Sequence, residues 1–203
     1  MQDLSPSYDN KIERKYSVKT LEHKVENKLA LQKELGWPTE KKIPLLCIPT
    51  GMTDALGGQL LKETLPGILT MGMEIVILGK GDEEYGALFT KLTKEKGHRI
   101  AILKDDETQC RKMYAAADMA LFFTDSKELP EEAHCLHYGV VPIAPHTQSL
   151  QNYNPVQESG NAFLYDELTK WHCYGALVRA LETYNFPFDW RTIQRQCMDE
   201  AVE

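Results

Sequence analysis

The chain has 203 residues, of which 42% are hydrophobic and 26% are charged, and its formal net charge is -7. This size and composition are typical of one soluble globular domain with a substantial core. The negative charge opposes binding to a phosphate backbone, and no apolar run approaches the roughly 20 residues that a bilayer span needs. Neither nucleic acid nor a membrane is therefore an expected partner.

The cysteines indicate a reducing compartment. Five of them lie far apart in the sequence and contain no CxxC pair. A disulfide framework and a zinc knuckle are therefore not indicated. The first 16 residues are polar and lack the apolar segment of a signal peptide. We expect a cytoplasmic protein, or one in another reducing compartment such as a plastid, with no cofactor and no metal.

The predicted elements begin with an amphipathic helix from Ser17, which Gly36 and Pro38 end. Short apolar runs and helical patterns then alternate. The predicted strands are residues 43–49, 73–79, 99–103, 119–123, 140–144 and 161–165. Helices are predicted near residues 83–95 and 108–116, after each of the first and fourth strands, and twice at the end of the chain.

This alternation predicts an α/β fold, a doubly wound, Rossmann-like parallel sheet of about six strands with helices on both faces. We interpret residues 1–16 as a linker-like segment and residues 17–203 as a single domain. Ligands of such sheets lie at the carboxyl ends of the strands. Functional residues are therefore expected just after residues 49, 79, 103, 123 and 144.

Three polar clusters are candidate sites. The turn "GKGDEE" (79–84) has glycines that could cradle a phosphate, but its acids favour a plain turn at a helix start. His134, Cys135 and His137 could share a helix face, yet their spacing is more typical of a polar helix surface than of a zinc site or a Cys/His nucleophile. The acids at 105–107 favour a helix N-cap over a catalytic role.

Several segments together resemble a known family. They read "LEHKVENKLALQKELGW", which is similar to a K..NK..LQ pattern, then "MEIVILGKGDEEY", "CRKMYAAADMALFF", "CLHYGVVPIA" and "NAFLY". Over roughly residues 15–200 the chain resembles the C-terminal, donor-binding half of a glycogen or starch synthase, a two-domain GT-B glycosyltransferase. The resemblance implies ADP-glucose or UDP-glucose as donor, an α-glucan as acceptor, and an N-terminal GT-B half or a glucan-synthesis enzyme as partner. It leaves open whether the chain is an excised domain or a free-standing half.

The family's donor-phosphate motif, written SRL...KG, reads "TGMTDALG" here. The resemblance places Gly51 at its arginine and Leu56 at its lysine, and neither carries a charge. Asp54 and Gly57 match the motif and would shape the loop. We expect that arginine at position 51 and lysine at position 56 would improve donor affinity only if the loop keeps the family's shape.

Other donor contacts of the family are also altered. The motif SRFEPCGL matches "TDSKELPEEA", so that its sugar-contacting glutamate falls on Lys127 or on Ser126, with Glu128 one residue from Lys127. The TGGL loop reads "TQSL", with Thr147 followed by Gln148 and Ser149 in place of the two glycines. The aromatic residue beside the nucleotide base corresponds to Asp105.

These departures predict a glycogen/starch synthase-like domain without catalysis of its own, which acts in assembly or regulation of glucan synthesis and binds ADP-glucose or UDP-glucose weakly if at all. We assign no catalytic residue. One alternative is an active glucosyltransferase half whose rearranged site uses Lys127, Lys104 or Lys80. Another is a different nucleotide-sugar role on the same fold, such as isomerisation.

Overall fold

The computed structural model describes residues 5–95 and 99–200. Within them the strands are β1 Leu45–Ile48, β2 Glu74–Leu78, β3 Ile100–Leu103, β4 Met119–Leu121, β5 Val141–Pro145 and β6 Phe163–Tyr165. The helices are α1 Lys24–Glu34, α2 Gly58–Ile68, α3 Glu83–Leu92, α4 Glu107–Ala116, α5 Pro130–His137, α6 Lys170–Tyr184 and α7 Pro187–Glu200.

The six strands form one parallel sheet in the order β3-β2-β1-β4-β5-β6. Every residue of β1, β2, β4, β5 and β6 is buried, which requires cover on both faces of the sheet. α1 packs on α4, α2 packs on α6, and α5 and α6 both contact β5. The predicted doubly wound, six-stranded parallel sheet is therefore confirmed.

The predicted first helix is divided in two. Val18–His23 is a 3-10 helix that contains a break at Thr20, where φ is -126° and ψ is 35°, and α1 follows it directly from Lys24. The Thr20 hydroxyl accepts a hydrogen bond from the backbone N–H of Ser17 at 2.9 Å. This is the capping-box contact between the N3 side chain and the N-cap backbone, and it marks the start of the helical segment at Val18. The regular α-helix begins only at Lys24.

The segment before this helix lies against the domain. The side chains of Asp9, Ile12 and Tyr16 are buried, and the Tyr16 hydroxyl donates to the backbone carbonyl of Tyr138 at 2.8 Å. Asp9 accepts a hydrogen bond from the Tyr138 hydroxyl. The division of the chain at residue 16 stays a prediction.

Two lysines of the K..NK..LQ pattern hold α1 against the end of α4 and the segment before β4. Lys24 Nζ donates to the backbone carbonyls of Tyr114 and Ala115 at 2.8 and 2.9 Å. Lys28 Nζ lies 2.6 Å from the Asp118 carboxylate, which comes directly before β4. Both lysines are at least 95% buried, so these residues of the family pattern have a structural role here.

Candidate functional site

The candidate site lies at the carboxyl edge of the sheet. The strand order reverses at β1, whose neighbours are β2 and β4, and ligands of open α/β sheets bind in the crevice at such a switch point. The loops that meet there follow β1, β2, β3, β4 and β5. All ten positions that the family resemblance assigns to donor binding lie in four of these loops, those after β1, β3, β4 and β5.

Backbone hydrogen bonds hold the loop after β1 against the glycine turn after β2. The N–H of Met52 donates to the carbonyl of Lys80 at 3.3 Å, and the N–H of Asp82 donates to the carbonyl of Met52 at 2.9 Å. Gly81 has φ +106°, and a Cβ on it would lie 2.0 Å from the Met52 carbonyl oxygen. This turn therefore needs glycine for contact between two backbones, which favours the plain-turn interpretation.

Gly51 leaves no room for a side chain. Its φ is +64°, and a Cβ there would lie 2.2 Å from the carbonyl oxygen of Lys80 and 2.6 Å from Lys80 Cγ. A backbone oxygen at that distance cannot yield without movement of the whole turn. In this loop geometry an arginine side chain does not fit at position 51. The effect of arginine there on donor affinity stays a prediction.

The rest of this loop is shaped by Asp54 and Gly57. Asp54 accepts a hydrogen bond from the Tyr85 hydroxyl, and this bond, together with burial, raises the pKa of Tyr85 to about 12. Gly57 has φ +89°, and its Cβ would lie 2.5 Å from the Cβ of Phe123. Leu56 is half-buried against the core. The loop therefore presents no cationic side chain from these positions.

The three lysines considered as replacement cations differ in their surroundings. Lys80 Nζ lies 2.7 Å from Glu131 Oε1, with side-chain exposures of 33% and 13%. Lys104 lies 3.4 Å from Asp106 and is largely exposed. Lys127 is exposed and has no ion pair within the described part of the chain. Of the three, Lys127 alone offers a cation without an acidic partner among the described residues.

The loop between β4 and α5 turns one candidate position inward. Ser126 is fully buried, and its hydroxyl donates to the carboxylate of Glu132. Lys127 and Glu128 are exposed, and the Lys127 N–H donates to Asp125 Oδ1 at 3.0 Å. The two alignments of the family's glutamate thus lead to different environments, a buried serine and an exposed lysine.

The loop after β5 carries side chains where the resemblance implies glycines. Thr147 is buried, whereas Gln148 and Ser149 are exposed. The Thr147 and Ser149 hydroxyls lie 3.1 Å apart, within hydrogen-bond distance.

The loop after β3 ends in a helix N-cap. Asp105 is exposed, and Asp106 accepts a hydrogen bond from the Gln109 N–H at 2.9 Å. This backbone bond is the main cause of the lowered pKa of Asp106. The interpretation of residues 105–107 as an N-capping cluster is confirmed for Asp106.

The histidines and the cysteine of α5 do not form a group of metal ligands within the described residues. Cys135 is fully buried beside Cys47, and burial raises the pKa of its thiol well above the ordinary value. His134 is half-buried with its ring edge against Tyr114 at 5.5 Å between centroids, and burial lowers its pKa. Within residues 5–95 and 99–200, no three acidic, histidine or cysteine side chains are grouped as metal ligands. The absence of zinc stays a prediction.

A cavity of about 330 Å³ opens between the loops after β1 and β4. Its charged lining residues are Asp54 and Glu63, and no lysine or arginine is among the described residues that line it. Sequence reasoning placed Asp54 here but missed Glu63, and it missed Glu131 as the partner of Lys80. No local signal predicts that ion pair, because the two residues are 51 positions apart.

Comparison with known proteins gives the family. No protein-family model matches the chain. It is 33% identical over 205 residues to the glycogen synthase of Fervidobacterium nodosum and 34% identical over 205 residues to that of Clostridium perfringens. Each match covers 97% of this chain but 42% of the relative, so the chain spans less than half the length of these curated relatives.

Solved structures agree on the fold. The catalytic domain of starch synthase IV from Arabidopsis thaliana, bound to ADP and acarbose, matches with a TM-score of 0.84 and 24% identity, over 96% of this chain and 42% of that one. Sucrose-phosphate synthase from Thermosynechococcus elongatus matches with a TM-score of 0.62 and 16% identity, over 84% and 43%.

The architecture is that of one Rossmann-like half of a GT-B glycosyltransferase. By sequence the chain is homologous to the C-terminal half of glycogen synthases, and it is a glycogen/starch synthase-like glycosyltransferase domain. Along the part of the chain that the structure describes, no helix is both long and apolar enough to cross a membrane.

Proposed function

We propose that this domain no longer binds a sugar-nucleotide donor tightly, has no catalysis of its own, and acts in assembly or regulation of glucan synthesis. The observation that carries the proposal is at position 51, which the family resemblance assigns to an arginine. Gly51 occupies it, and the Lys80 backbone fills the space that a side chain would need. The lysine position holds half-buried Leu56.

The electrostatics of this edge support the same proposal. Transfer from a sugar nucleotide develops negative charge on the leaving diphosphate, which cations must stabilise. The ammonium of Lys80, in the glycine turn after β2, is already paired with Glu131. Asp54 and Glu63 line the cavity between the loops. A diphosphate placed there meets two carboxylates, and this repulsion opposes binding.

The starch synthase IV structure contains ADP. A shared fold does not by itself imply that this chain binds a nucleotide, because binding depends on the residues of the site. For this chain, ADP is therefore the sharpest probe, because it carries the diphosphate without the sugar and tests the missing cations directly.

Calorimetry with ADP, ADP-glucose and UDP-glucose tests the proposal. Loss of two charge-assisted hydrogen bonds weakens binding by about a hundredfold or more, so we expect no saturable binding below about 1 mM. We also expect no transfer of glucose to glycogen by the chain alone. Saturable binding at micromolar donor would contradict the proposal.

The second candidate is an active half with a rearranged site. Exposed Lys127, which has no ion pair among the described residues, is the observation that favours it. If donor binding is found, the variant Lys127→Gln tests whether a rearranged site that uses Lys127 is responsible for it. A rearranged site loses at least tenfold in affinity with this change, whereas the control Lys33→Gln, at an exposed lysine of α1, leaves affinity unchanged. Another nucleotide-sugar role also needs diphosphate contacts and faces the same test.

The proposed partner is an N-terminal GT-B half or a glucan-synthesis enzyme. The relatives are more than twice as long as this chain, which is consistent with one half of a two-domain enzyme. A regulatory role predicts that the purified chain changes the rate of glucosyl transfer by a glycogen synthase to which it is added. An unchanged rate at saturating chain would contradict that part of the proposal.

A further inference from the structure

Exposed apolar side chains cluster around α6. Eight large hydrophobic side chains are exposed among the described residues, and five of these lie between residues 168 and 188. Trp171 and Val178 share one face of the helix with Gly175 and Glu182, because residues three or four apart in a helix lie on the same side. We call these four residues the α6 stripe. All four are exposed, so no described element covers this face.

The opposite face of α6 packs on the rest of the domain. The helix contacts β5, β6, α2 and α7, and its buried residues are Cys173, Ala176, Leu177 and Ala180. The α6 stripe therefore contributes nothing to the core. Clustered apolar side chains that are exposed in this way mark a surface for interaction with another molecule.

The side chain of Trp171 is held in place although it is 70% exposed. Its ring makes a T-shaped contact with the Tyr174 ring at 5.9 Å between centroids, and Lys170 Nζ lies 5.0 Å from its centroid. The Tyr174 hydroxyl in turn donates to the backbone carbonyl of Thr64 in α2 at 2.9 Å. Because the indole is already ordered, it loses little conformational freedom when a partner covers it, which suits the anchor of an interface.

Gly175 leaves a gap in the middle of the α6 stripe. A Cβ built on it would have no heavy atom within 4 Å. Glycine in a helix interior is less stable than alanine, so the fold of the domain gains nothing from it here. A glycine does form a groove on the helix surface, into which a side chain of another helix can insert.

We propose that the α6 stripe binds the α6 stripe of a second copy of this chain, with the two helices antiparallel. In this register Val178 of each copy fills the gap at Gly175 of the other, and a two-fold axis repeats the contact. Trp171 lies seven residues before Val178, and Glu182 lies seven residues after Gly175. Trp171 of each copy is therefore opposite Glu182 of the other. None of the four residues lines the cavity at the donor edge, so this contact is separate from donor binding.

The chemistry of the facing residues favours the antiparallel register. The indole N–H of Trp171 can only donate a hydrogen bond, and the carboxylate of Glu182 can accept it. Glu182 has no ion pair within residues 5–95 and 99–200, and Lys170, next to the Trp171 ring, offers it a cation. A parallel pair about a two-fold axis would instead place each residue opposite its own copy, with Glu182 against Glu182 and the gap at Gly175 empty. Like charges that face each other oppose binding.

The self-association of the purified chain tests the proposal. A single pair of helices buries less than the roughly 1,200 Å² of a standard interface, so we expect a weak dimer with a dissociation constant of about 10–500 µM, measured by sedimentation equilibrium. A chain that is still monomeric at about 1 mM would overturn the proposal.

Two glycine substitutions assign the contact to the α6 stripe. Gly175→Gln fills the gap and should raise the dissociation constant at least about tenfold. The fold should not suffer, because the Cβ has no heavy atom within 4 Å and glutamine favours a helix more than glycine does. Gly86→Gln is the matched control in α3, where a Cβ also meets open space, and it should leave the dimer unchanged. Equal effects of the two substitutions, or no effect of Gly175→Gln, would overturn the proposal.

Disulfide cross-linking tests the register. One chain carries Trp171→Cys and the other carries Glu182→Cys, both with Cys110→Ser because Cys110 is the one cysteine that is not buried. The Cα atoms of a disulfide lie within about 7 Å, whereas the two copies of position 171 lie about 16 Å apart along antiparallel helices in this register. We expect the mixture to cross-link on oxidation and neither chain to do so alone, since the mixed dimer keeps one of its two contacts between Trp171 and Glu182. Cross-linking of the Trp171→Cys chain alone, or none in the mixture, would overturn the proposal.

Discussion

The ammonium of Lys80 lies 2.7 Å from the carboxylate of Glu131, and this ion pair joins the turn after β2 to the first turn of α5. β2 lies on one side of β1, and the strands flanking α5 lie on the other. The pair therefore crosses the switch point of the sheet. Glu131 suits the positive end of the α5 dipole, which helps to hold its charge in place.

The first prediction is that Glu131→Gln strengthens ADP binding. The substitution keeps the size of the side chain and frees the Lys80 ammonium to interact with a phosphate. Because the pair is partly exposed, we expect the dissociation constant for ADP to fall by about 3- to 10-fold, measured by calorimetry at low salt.

Two further variants isolate the cause. Lys80→Gln combined with Glu131→Gln should abolish the gain, because no cation is then released. Glu84→Gln removes an exposed acid, paired with Lys62, from the same neighbourhood and should have little effect. An equal gain from Glu84→Gln would show a general charge effect instead of the release of Lys80.

The second prediction is that Gly51→Arg destabilises the domain and does not restore donor binding. A side chain at φ +64° is strained, and its Cβ would meet the Lys80 carbonyl oxygen. We expect a loss of at least about 2 kcal/mol in the free energy of unfolding, measured by urea denaturation.

Gly72→Arg is the matched control, because Gly72 has φ +66° but no heavy atom within 4 Å of its Cβ position. It should cost about 1 kcal/mol, the backbone strain alone. If both substitutions cost the same, the close contact at Gly51 is not what excludes a side chain there.

The fold could be predicted from the sequence because the six strands are short apolar runs between helical patterns, and such runs depend on local composition. The break at Thr20 could not, since non-helical dihedral angles at one residue leave no signal in the hydrophobic periodicity. At the candidate site, the sequence itself shows that neither Gly51 nor Leu56 carries a charge. The crowding of Gly51 by Lys80 could not, because it depends on how two loops 29 residues apart meet.

The third prediction concerns the buried ion pair between Lys28 and Asp118. Lys28 is 2% exposed, and its ammonium also donates to the Tyr184 hydroxyl at 2.8 Å. Lys28→Met leaves the Asp118 carboxylate without its cation. We expect a loss of about 3–5 kcal/mol in the free energy of unfolding, whereas Lys33→Met, on the exposed side of the same helix, should change it by less than about 0.5 kcal/mol. Equal effects would mean that the pair contributes no more than any surface lysine.

The last prediction is a pH dependence that arises from Lys24. Burial is the main cause that lowers its pKa from 10.5 to about 7. Between pH 7 and 10.5 the Lys24 side chain is protonated in the unfolded chain but not in the folded chain, so the free energy of unfolding rises with pH. Below pH 7 the side chain is protonated in both states, and the buried charge lowers the stability of the folded chain by its full amount. Lys24→Met removes this dependence. The stability of the wild type minus that of the variant should therefore rise by about 2–3 kcal/mol from pH 6.5 to pH 9, measured by urea denaturation. A constant difference would mean that Lys24 keeps an ordinary pKa, because its hydrogen bonds to the Tyr114 and Ala115 carbonyls then stabilise the ammonium enough to offset its burial.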